Sequence, residues 1–173
     1  MTKKAGPKAT EPAAARMGPE IPLRIAGPAD VATVTRMIGD FRDFLESDSP
    51  SNAAIEAVVS QLIEDRGTEY LLIGEPEAGF AQIRYRLSVW EDGEDAWLED
   101  VFIREDVRGK GYGRTLVSAA IERARARGCG RIQLETNGNN KSAVALYESV
   151  GFESSHLPDY WGDAPDMCFT KPL

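Results

Sequence analysis

The glycine-rich segment Arg108-Gly109-Lys110-Gly111-Tyr112-Gly113 has the composition of a phosphate-binding loop. It stands between an apolar run typical of a strand and a segment typical of a helix. Glycines let the backbone approach a ligand closely and adopt positive φ. A helix that follows such a loop points its free N–H groups and positive dipole end at the ligand. Because Arg108, Lys110 and Arg114 add positive charge, the segment predicts a bound diphosphate.

Two better-known phosphate loops fit this segment poorly. A P-loop requires Ser or Thr directly after its lysine, and here Lys110 is followed by Gly111. A dinucleotide fingerprint has Gly-x-Gly-x-x-Gly within a parallel βαβ unit, whereas this spacing is Gly-x-Gly-x-Gly after a predicted antiparallel hairpin. On the loop alone, a flexible glycine-rich connector stays open as the alternative.

The elements around the loop define the fold class. Apolar residues at helical spacing predict four helices. The first begins near Pro28, the second begins at a Ser51 cap and ends at Gly67, the third spans 111–127, and the fourth ends before Gly151. Alternating or apolar runs predict strands at 23–25, 70–73, 80–89, 97–103, 132–136 and 167–170, and near Phe152. Antiparallel strands followed by strand–helix–strand–helix–strand predict one α+β domain, a sheet flanked by helices.

Composition limits the remaining possibilities. Residues 1–20 are rich in Ala, Pro, Gly and Lys and predict a disordered tail before a domain at 21–173. The chain has no run near the ~20 apolar residues of a membrane span and no secretory signal, so we expect a cytoplasmic protein without a membrane partner. The net charge of −8 argues against binding to nucleic acid. A single histidine, His156, predicts no metal site.

The loop resembles the phosphate signature of the GNAT superfamily of acyl-CoA-dependent N-acetyltransferases, Gln/Arg-x-x-Gly-x-Gly/Ala. A second signature of that superfamily is an Asn, an Ala three residues on, and a Leu-Tyr-x-x-x-Gly-Phe ending. The chain matches the two signatures at Arg108, Gly111 and Gly113, and at Asn140, Ala143, Leu146, Tyr147, Gly151 and Phe152. The resemblance covers about residues 21–173 and is closest over 97–152. The run 98–103, Leu-Glu-Asp-Val-Phe-Ile, is similar to the diamine and polyamine acetyltransferases.

The resemblance implies the GNAT fold. In that fold a twisted, mixed, mostly antiparallel sheet is flanked by about four helices, and the fourth and fifth strands splay apart around the pantetheine arm of acetyl-CoA. Strand 97–103 would be the fourth and 131–136 the fifth. The implied contacts to acetyl-CoA are the N–H groups of 109–114 on the diphosphate, Asn140 on the arm, and backbone groups of Val101, Phe102 and Ile103 on the arm and thioester.

The resemblance also implies transfer of an acetyl group from acetyl-CoA to a primary amine, small or polyamine-like, by direct attack in a ternary complex. An alkyl amine near pKa 10 must first lose a proton. Glu99 is predicted either to remove that proton through water or to contact the cationic substrate. By resemblance Tyr147 is the general acid that protonates the leaving thiolate, whereas its spacing alone describes a core aromatic.

The acceptor is open at this stage. Phe41, Phe44 and Trp90 stand near acidic clusters and could line the mouth of an amine pocket, although solvated helix ends and turns carry such charges routinely. The loop at 160–163 would add another wall. Two other functions stay possible, a non-catalytic acyl-CoA-binding module and a protein N-terminal acetylase. By resemblance a homodimer is also possible.

Overall fold

The computed structural model describes residues 21–156 and 166–173. The predicted tail, residues 1–20, and the predicted pocket loop at 160–163 lie outside the described residues. The strands are β1 (Leu23–Ile25), β2 (Thr68–Ile73), β3 (Gly79–Ser88), β4 (Gly93–Ile103), β5 (Arg131–Asn137), β6 (Glu153–His156) and β7 (Asp166–Pro172). The helices are α1 (Val31–Phe44), α2 (Asn52–Leu62), α3 (Tyr112–Arg127) and α4 (Lys141–Ser149).

The seven strands form one mixed sheet in the order β1-β2-β3-β4-β5-β7-β6. Neighbouring strands are antiparallel except β4 and β5, which run parallel. This arrangement confirms the predicted α+β fold, with a mostly antiparallel sheet and four helices. The parallel pair is the point where the chain crosses over through α3, and it separates the two halves of the sheet.

Helices cover both faces of the sheet because each helix has one apolar side, which is buried against the sheet. On one face α3 buries Leu116, Val117 and Ala120, and α4 buries Tyr147, against residues of β2 to β5. On the other face α1 and α2 cover an apolar row across the sheet. Each large apolar side chain so buried contributes roughly 1.5–3 kcal/mol, so the two clusters hold the helices that carry the site.

Several predicted boundaries differ from the structure. Ser51 caps α2 as predicted, accepting a hydrogen bond from the Ala54 N–H at 3.3 Å, but α2 ends at Leu62 rather than at Gly67. Strand β3 ends at Ser88 rather than continuing to Val89. Strand β4 begins at Gly93, four residues before the predicted start. Its first residues are acidic yet remain extended because they pair with arginines of neighbouring elements.

Candidate active site

The gap between β4 and β5 is the central feature of the site. The two strands pair only at Ala96 with Ile132 and at Trp97 with Gln133, although both continue beyond these residues. From Leu98 to Ile103, β4 has no pairing partner on its β5 side among the described residues. Backbone N–H and C=O groups on that edge can therefore bind a ligand. The predicted splay of the fourth and fifth strands is confirmed.

The glycine-rich loop delivers free N–H groups to the mouth of this gap. Gly111 is the N-cap of α3 with φ +91° and supplies no side chain to cap the helix. In the part of the chain that the structure describes, the N–H groups of Gly109 and of 111–114 have no acceptor. Gly109, with φ +74°, and Gly111 both face open space where a side chain would begin. The loop and the N-terminal end of the 16-residue helix α3 thus form a surface of hydrogen-bond donors, the donor surface, that is suited to an anion.

The cations of the loop are held by the protein itself. The Arg108 Nε donates to the Ile103 carbonyl at 2.9 Å, and its guanidinium lies 4.2 Å from the centre of the Phe44 ring. Lys110 donates to the carbonyl of Asp106 at 2.8 Å. These contacts fix the shape of the loop, and the positive field of both side chains still acts on a ligand there.

Arg114 and Gly113 attach α4 to the loop. The Arg114 guanidinium donates to the Ser149 hydroxyl at 2.9 Å, which joins the start of α3 to the end of α4. A Cβ on Gly113 would lie 3.2 Å from Leu146 Cδ2 and 3.9 Å from Ile103 Cγ1, so glycine allows α3 to approach both α4 and β4. The same segment that offers N–H groups therefore also positions the helix that carries Tyr147.

A β-bulge in β4 places two carboxylates on one face of the sheet. Gln82 pairs with Asp100 and the next residue, Ile83, pairs with Leu98, so Glu99 is the extra residue. Leu98 and Val101 both pack in the cluster under α3. Since side chains alternate along a strand, Glu99 and Asp100 between them both project from the opposite face.

The face that carries these carboxylates is organised in rows across β2, β3 and β4. Leu72, Phe80 and Phe102 form an apolar row beneath α1 and α2. The next row is polar and consists of Tyr70, Gln82 and Asp100. Tyr70 and Gln82 are buried, and no side chain of this row forms a hydrogen bond to another described residue. None of their polar atoms is among the fully buried, unpartnered polar atoms of the described residues, so these atoms reach solvent-accessible space where a ligand or water can bind.

Asp100 is the titratable centre of this row. Burial, with a smaller contribution from the neighbouring Glu99 charge, raises the pKa of the Asp100 carboxyl to about 6. Burial and the Asp100 charge raise the pKa of Tyr70 to about 12. Glu99 is exposed to solvent, whereas Asp100 is partly buried. A carboxyl with a pKa near 6 can both accept and release a proton at neutral pH.

Tyr147 approaches the same carboxyl from the other face of the sheet. Its ring is 7% exposed and packs against Phe152 and Phe169 at centroid distances of 5.8 and 5.7 Å. Its hydroxyl has no hydrogen-bond partner within the described ranges. Burial and then the Asp100 charge raise the pKa of Tyr147 to about 12, so this phenol keeps its proton at every physiological pH. Asp100 and Tyr147 therefore lie on opposite faces of the sheet.

The other predicted site residues occupy varied positions. The Asn140 side-chain oxygen caps α4 by accepting from the Ala143 N–H at 3.2 Å, which leaves its NH₂ group to contact a ligand. Phe41 and Phe44 pack on the Phe102 ring at 5.4 and 6.0 Å. They support β4 from the α1 side and lie near the loop through Arg108.

Trp90 does not lie near the Asp100 carboxyl. It is 92% exposed in the hairpin between β3 and β4, and the strand from Gly93 to Asp100 spans roughly 20 Å. The acidic residues of that hairpin are paired as well, Glu94 with Arg127 at 2.6 Å and Glu91 with Arg131 at 3.0 Å. A role for Trp90 in acceptor binding stays a prediction that the arrangement of the described residues does not favour.

Sequence reasoning missed Asp100, Gln82 and Tyr70. One signal could have found Asp100: the apolar pair Leu98 and Val101 is three residues apart in a strand, which indicates a bulge with two residues facing the other way. No comparable signal marks Tyr70 and Gln82, because their alignment with Asp100 depends on the pairing of three strands.

Comparison with known proteins places the chain in a family. Residues 39–152 match the model of the Acetyltransferase (GNAT) family. The chain belongs to this family. Over 150 residues it is 23% identical to bovine (Bos taurus) thialysine N-epsilon-acetyltransferase, covering 80% of this chain and 88% of the relative.

Solved structures share the fold. A protein of Arthrobacter sp. FB24 assigned as an acetyltransferase superposes with a TM-score of 0.73 at 28% identity, covering 85% of this chain and 93% of that one. A GNAT-family acetyltransferase of Streptococcus pneumoniae superposes with a TM-score of 0.65 at 23% identity, over 89% of this chain and 100% of that one. The protein is thus an acetyltransferase, and the predicted superfamily is confirmed.

Two further observations concern ligands and membranes. Within residues 21–156 and 166–173, no three His, Cys, Asp or Glu side chains come close enough together to hold a metal ion. None of the helices in the described part of the chain has the length and apolar character needed to cross a membrane.

Proposed function

We propose that this acetyltransferase uses acetyl-CoA as donor and a primary amine as acceptor, joined in a ternary complex. The observation that carries the proposal is the uncapped start of α3, with its free N–H groups at the mouth of the β4–β5 gap. A diphosphate at that start and an extended arm in the gap would bring a thioester to the level of Asp100 and Tyr147. The open edge of β4 from Val101 to Ile103 would supply hydrogen bonds to the arm.

The reaction balances without a further reactant. Acetyl-CoA would supply the thioester carbonyl. The amine nitrogen forms a bond to the carbonyl carbon, the bond from that carbon to sulfur breaks, and an N-acetyl product and CoA result. Counted from the ammonium form, the nitrogen gives up two protons; one is released to solvent and the other balances the proton that the sulfur gains. The protein therefore has to remove a proton from the nitrogen, donate one to the sulfur, and stabilise the oxyanion of the tetrahedral intermediate.

Three groups of the chain suit these tasks. Asp100, with a pKa of about 6, accepts the proton of the amine directly or through a water molecule. Tyr147, whose phenol stays protonated, donates to the leaving sulfur. A backbone N–H on the open edge of β4 near Phe102 stabilises the oxyanion, a contact typically worth ~3 kcal/mol. Glu99, beside Asp100 and exposed, then contacts the cationic acceptor.

The acceptor is a small-molecule amine in this proposal. Relatives of the chain carry the name thialysine N-epsilon-acetyltransferase, and the segment 98–103 is similar to the diamine and polyamine acetyltransferases. A homodimer stays a prediction.

Acetyl-CoA turnover tests the function. The purified protein is incubated with acetyl-CoA and a panel of primary amines, amino acids, polyamines, aminoglycosides and peptides, and release of the CoA thiol is followed. We expect amine-dependent thiol release and an N-acetylated product identified by mass. Binding of acetyl-CoA with no turnover on any amine would contradict the proposal.

Substitution of Gly111 tests the diphosphate site against a matched control. Gly111 and Gly128 stand at the two ends of α3, both have positive φ, +91° and +85°, and both face open space. Alanine costs a similar strain of about 1–2 kcal/mol at each position, so both variants should lower Tm alike. Only Gly111→Ala puts a methyl group into the donor surface.

We therefore expect the Kd for CoA, measured by calorimetry, to rise at least about tenfold in Gly111→Ala and to stay within about twofold in Gly128→Ala. Equal effects of the two variants on Kd would place the diphosphate elsewhere.

A further inference from the structure

Arg84 lies on the same face of the sheet as the two carboxylates, one row further from α1 and α2. On β3 it stands two residues after Gln82, and it pairs across the strands with Thr68 and Trp97. Two residues along a strand span about 7 Å, so Arg84 is about that far from the row of Tyr70, Gln82 and Asp100. Its charge acts on the Tyr70 phenol together with the charges of Asp100 and Glu99.

The charge of Arg84 is poorly satisfied by the protein. Its Nε is buried and has no hydrogen-bond partner in the described part of the chain. Its one ion pair among the described residues is to the Asp65 carboxylate at the long distance of 3.9 Å. That carboxylate already accepts from the Gly67 N–H at 3.0 Å and from the Thr68 hydroxyl at 2.9 Å. The Arg84 side chain is 37% exposed, so the N–H groups at its end stay accessible to a bound anion.

We propose that Arg84 binds an anionic group of the acceptor, so that the acceptor is a primary amine carrying a carboxylate about 7 Å away. This inference rests on the proposed function and names its acceptor class. The ammonium end meets Glu99 and Asp100, where it loses its proton and attacks, while the carboxylate end pairs with Arg84. Tyr70 and Gln82, which lie in the same row as Asp100, offer uncommitted hydrogen-bonding groups to the amine end of the molecule.

The same charges disfavour a diamine in this orientation. A second ammonium at the equivalent distance would face Arg84, and the Asp65 carboxylate beside Arg84 is already engaged by that arginine, the Gly67 N–H and the Thr68 hydroxyl. The next charged side chain on this face, Arg86, is also positive, and its partner Asp95 is already shared with Arg131. Arrangement of like charges against the wrong ligand is a common way to obtain specificity.

Three acceptors of equal reach test the proposal. The compounds 6-aminohexanoate, hexylamine and 1,6-diaminohexane present one amine opposite a carboxylate, a methyl group or an ammonium. In the unmodified protein we expect kcat/KM to be highest for 6-aminohexanoate, at least about tenfold above hexylamine, and lowest for the diamine. This comparison needs no variant and is independent of folding effects.

Substitution of Arg84 assigns the preference to one side chain. In Arg84→Gln, the ratio of kcat/KM for 6-aminohexanoate to kcat/KM for hexylamine should fall to within about threefold. Arg84→Lys, which keeps the charge, should retain part of the preference. Arg125→Gln removes an equal charge from the exposed side of α3, where Arg125 pairs with Glu122 at 2.6 Å, and should leave the preference intact.

The outcomes separate this inference from the proposed function. Turnover of amines with hexylamine or the diamine preferred, or a preference for the carboxylate that survives Arg84→Gln, overturns the role of Arg84 alone. Absence of turnover on every amine overturns both. Thermal unfolding of the variants shows whether a lost preference reflects a lost fold.

Discussion

Tyr147→Phe is expected to lower kcat by about 10²-fold or more while the affinity for acetyl-CoA stays the same. Without the phenol, the sulfur has to leave as a thiolate or take its proton from water. The substitution removes only a hydroxyl that has no partner among the described residues, and a phenylalanine ring keeps the packing on Phe152 and Phe169. Stability should therefore change little. Steady-state kinetics and CoA calorimetry measure the two quantities.

Tyr85→Phe is the matched control for this variant. Tyr85 is a second buried tyrosine, and its hydroxyl donates to Glu69 at 3.2 Å, away from the gap. Its loss should cost about 1 kcal/mol of stability and leave kcat unchanged. A kcat of Tyr147→Phe equal to that of the unmodified protein would remove Tyr147 from the mechanism.

Asp100→Asn is expected to lower kcat/KM at pH 8 by about 10²-fold or more, because the amine then has no base. The pH profile gives a sharper result. Asp100 accepts a proton only when ionised, so its contribution appears as the pH rises through about 6. The ratio of kcat/KM between the unmodified protein and the variant should increase with pH and level off above about 7. Taking this ratio cancels the titration of the amine itself.

Glu99→Gln distinguishes the two adjacent carboxylates. If Glu99 contacts the cationic acceptor, its substitution should raise KM for the amine and keep the pH dependence near 6. Loss of that dependence in Glu99→Gln, together with its retention in Asp100→Asn, would assign the base to Glu99.

The raised pKa of Asp100 also predicts an effect of Asp100→Asn on stability, and this effect has the opposite sign to the effect on activity. Folding raises the pKa of Asp100 from its ordinary value of 3.8 to about 6, so the folded state binds more protons than the unfolded state between these values. Stability therefore falls as pH rises from about 4 to about 6, and the penalty is fully present above that range. Asp100→Asn should raise the free energy of unfolding by about 1–3 kcal/mol at pH 8 and by little at pH 4. Denaturant unfolding at both pH values measures this difference.

Such a trade between stability and activity is expected at a catalytic position. A carboxyl held partly buried beside a second carboxylate is costly to ionise, and that cost is what brings its pKa near the working pH. An unchanged stability in Asp100→Asn at pH 8 would show that the carboxylate is fully solvated and unsuited to the role of a tuned base.

The sequence by itself predicted the donor site that we propose. Glycines at 109, 111 and 113 and the spacing from Asn140 to Phe152 are local patterns, and each describes one turn or one helix. Gly109 and Gly111 adopt positive φ, a conformation that only glycine adopts at low energetic cost. The order of strands and helices around these patterns is likewise local, so the fold class followed from hydrophobic periodicity. Boundaries were less certain where ion pairs overrode local preference, as at Glu94 in β4.

Only the tertiary structure decided the acceptor site that we propose. The row of Tyr70, Gln82 and Asp100, with Arg84 beside it, draws on three strands whose register depends on turns and on a single bulge at Glu99. A shift of one residue in the register would move every side chain of a strand to the other face of the sheet. The pattern of a single segment could therefore not predict that these residues are neighbours. The raised pKa of Asp100 has the same origin, because it depends on burial and on a neighbour whose orientation the bulge sets.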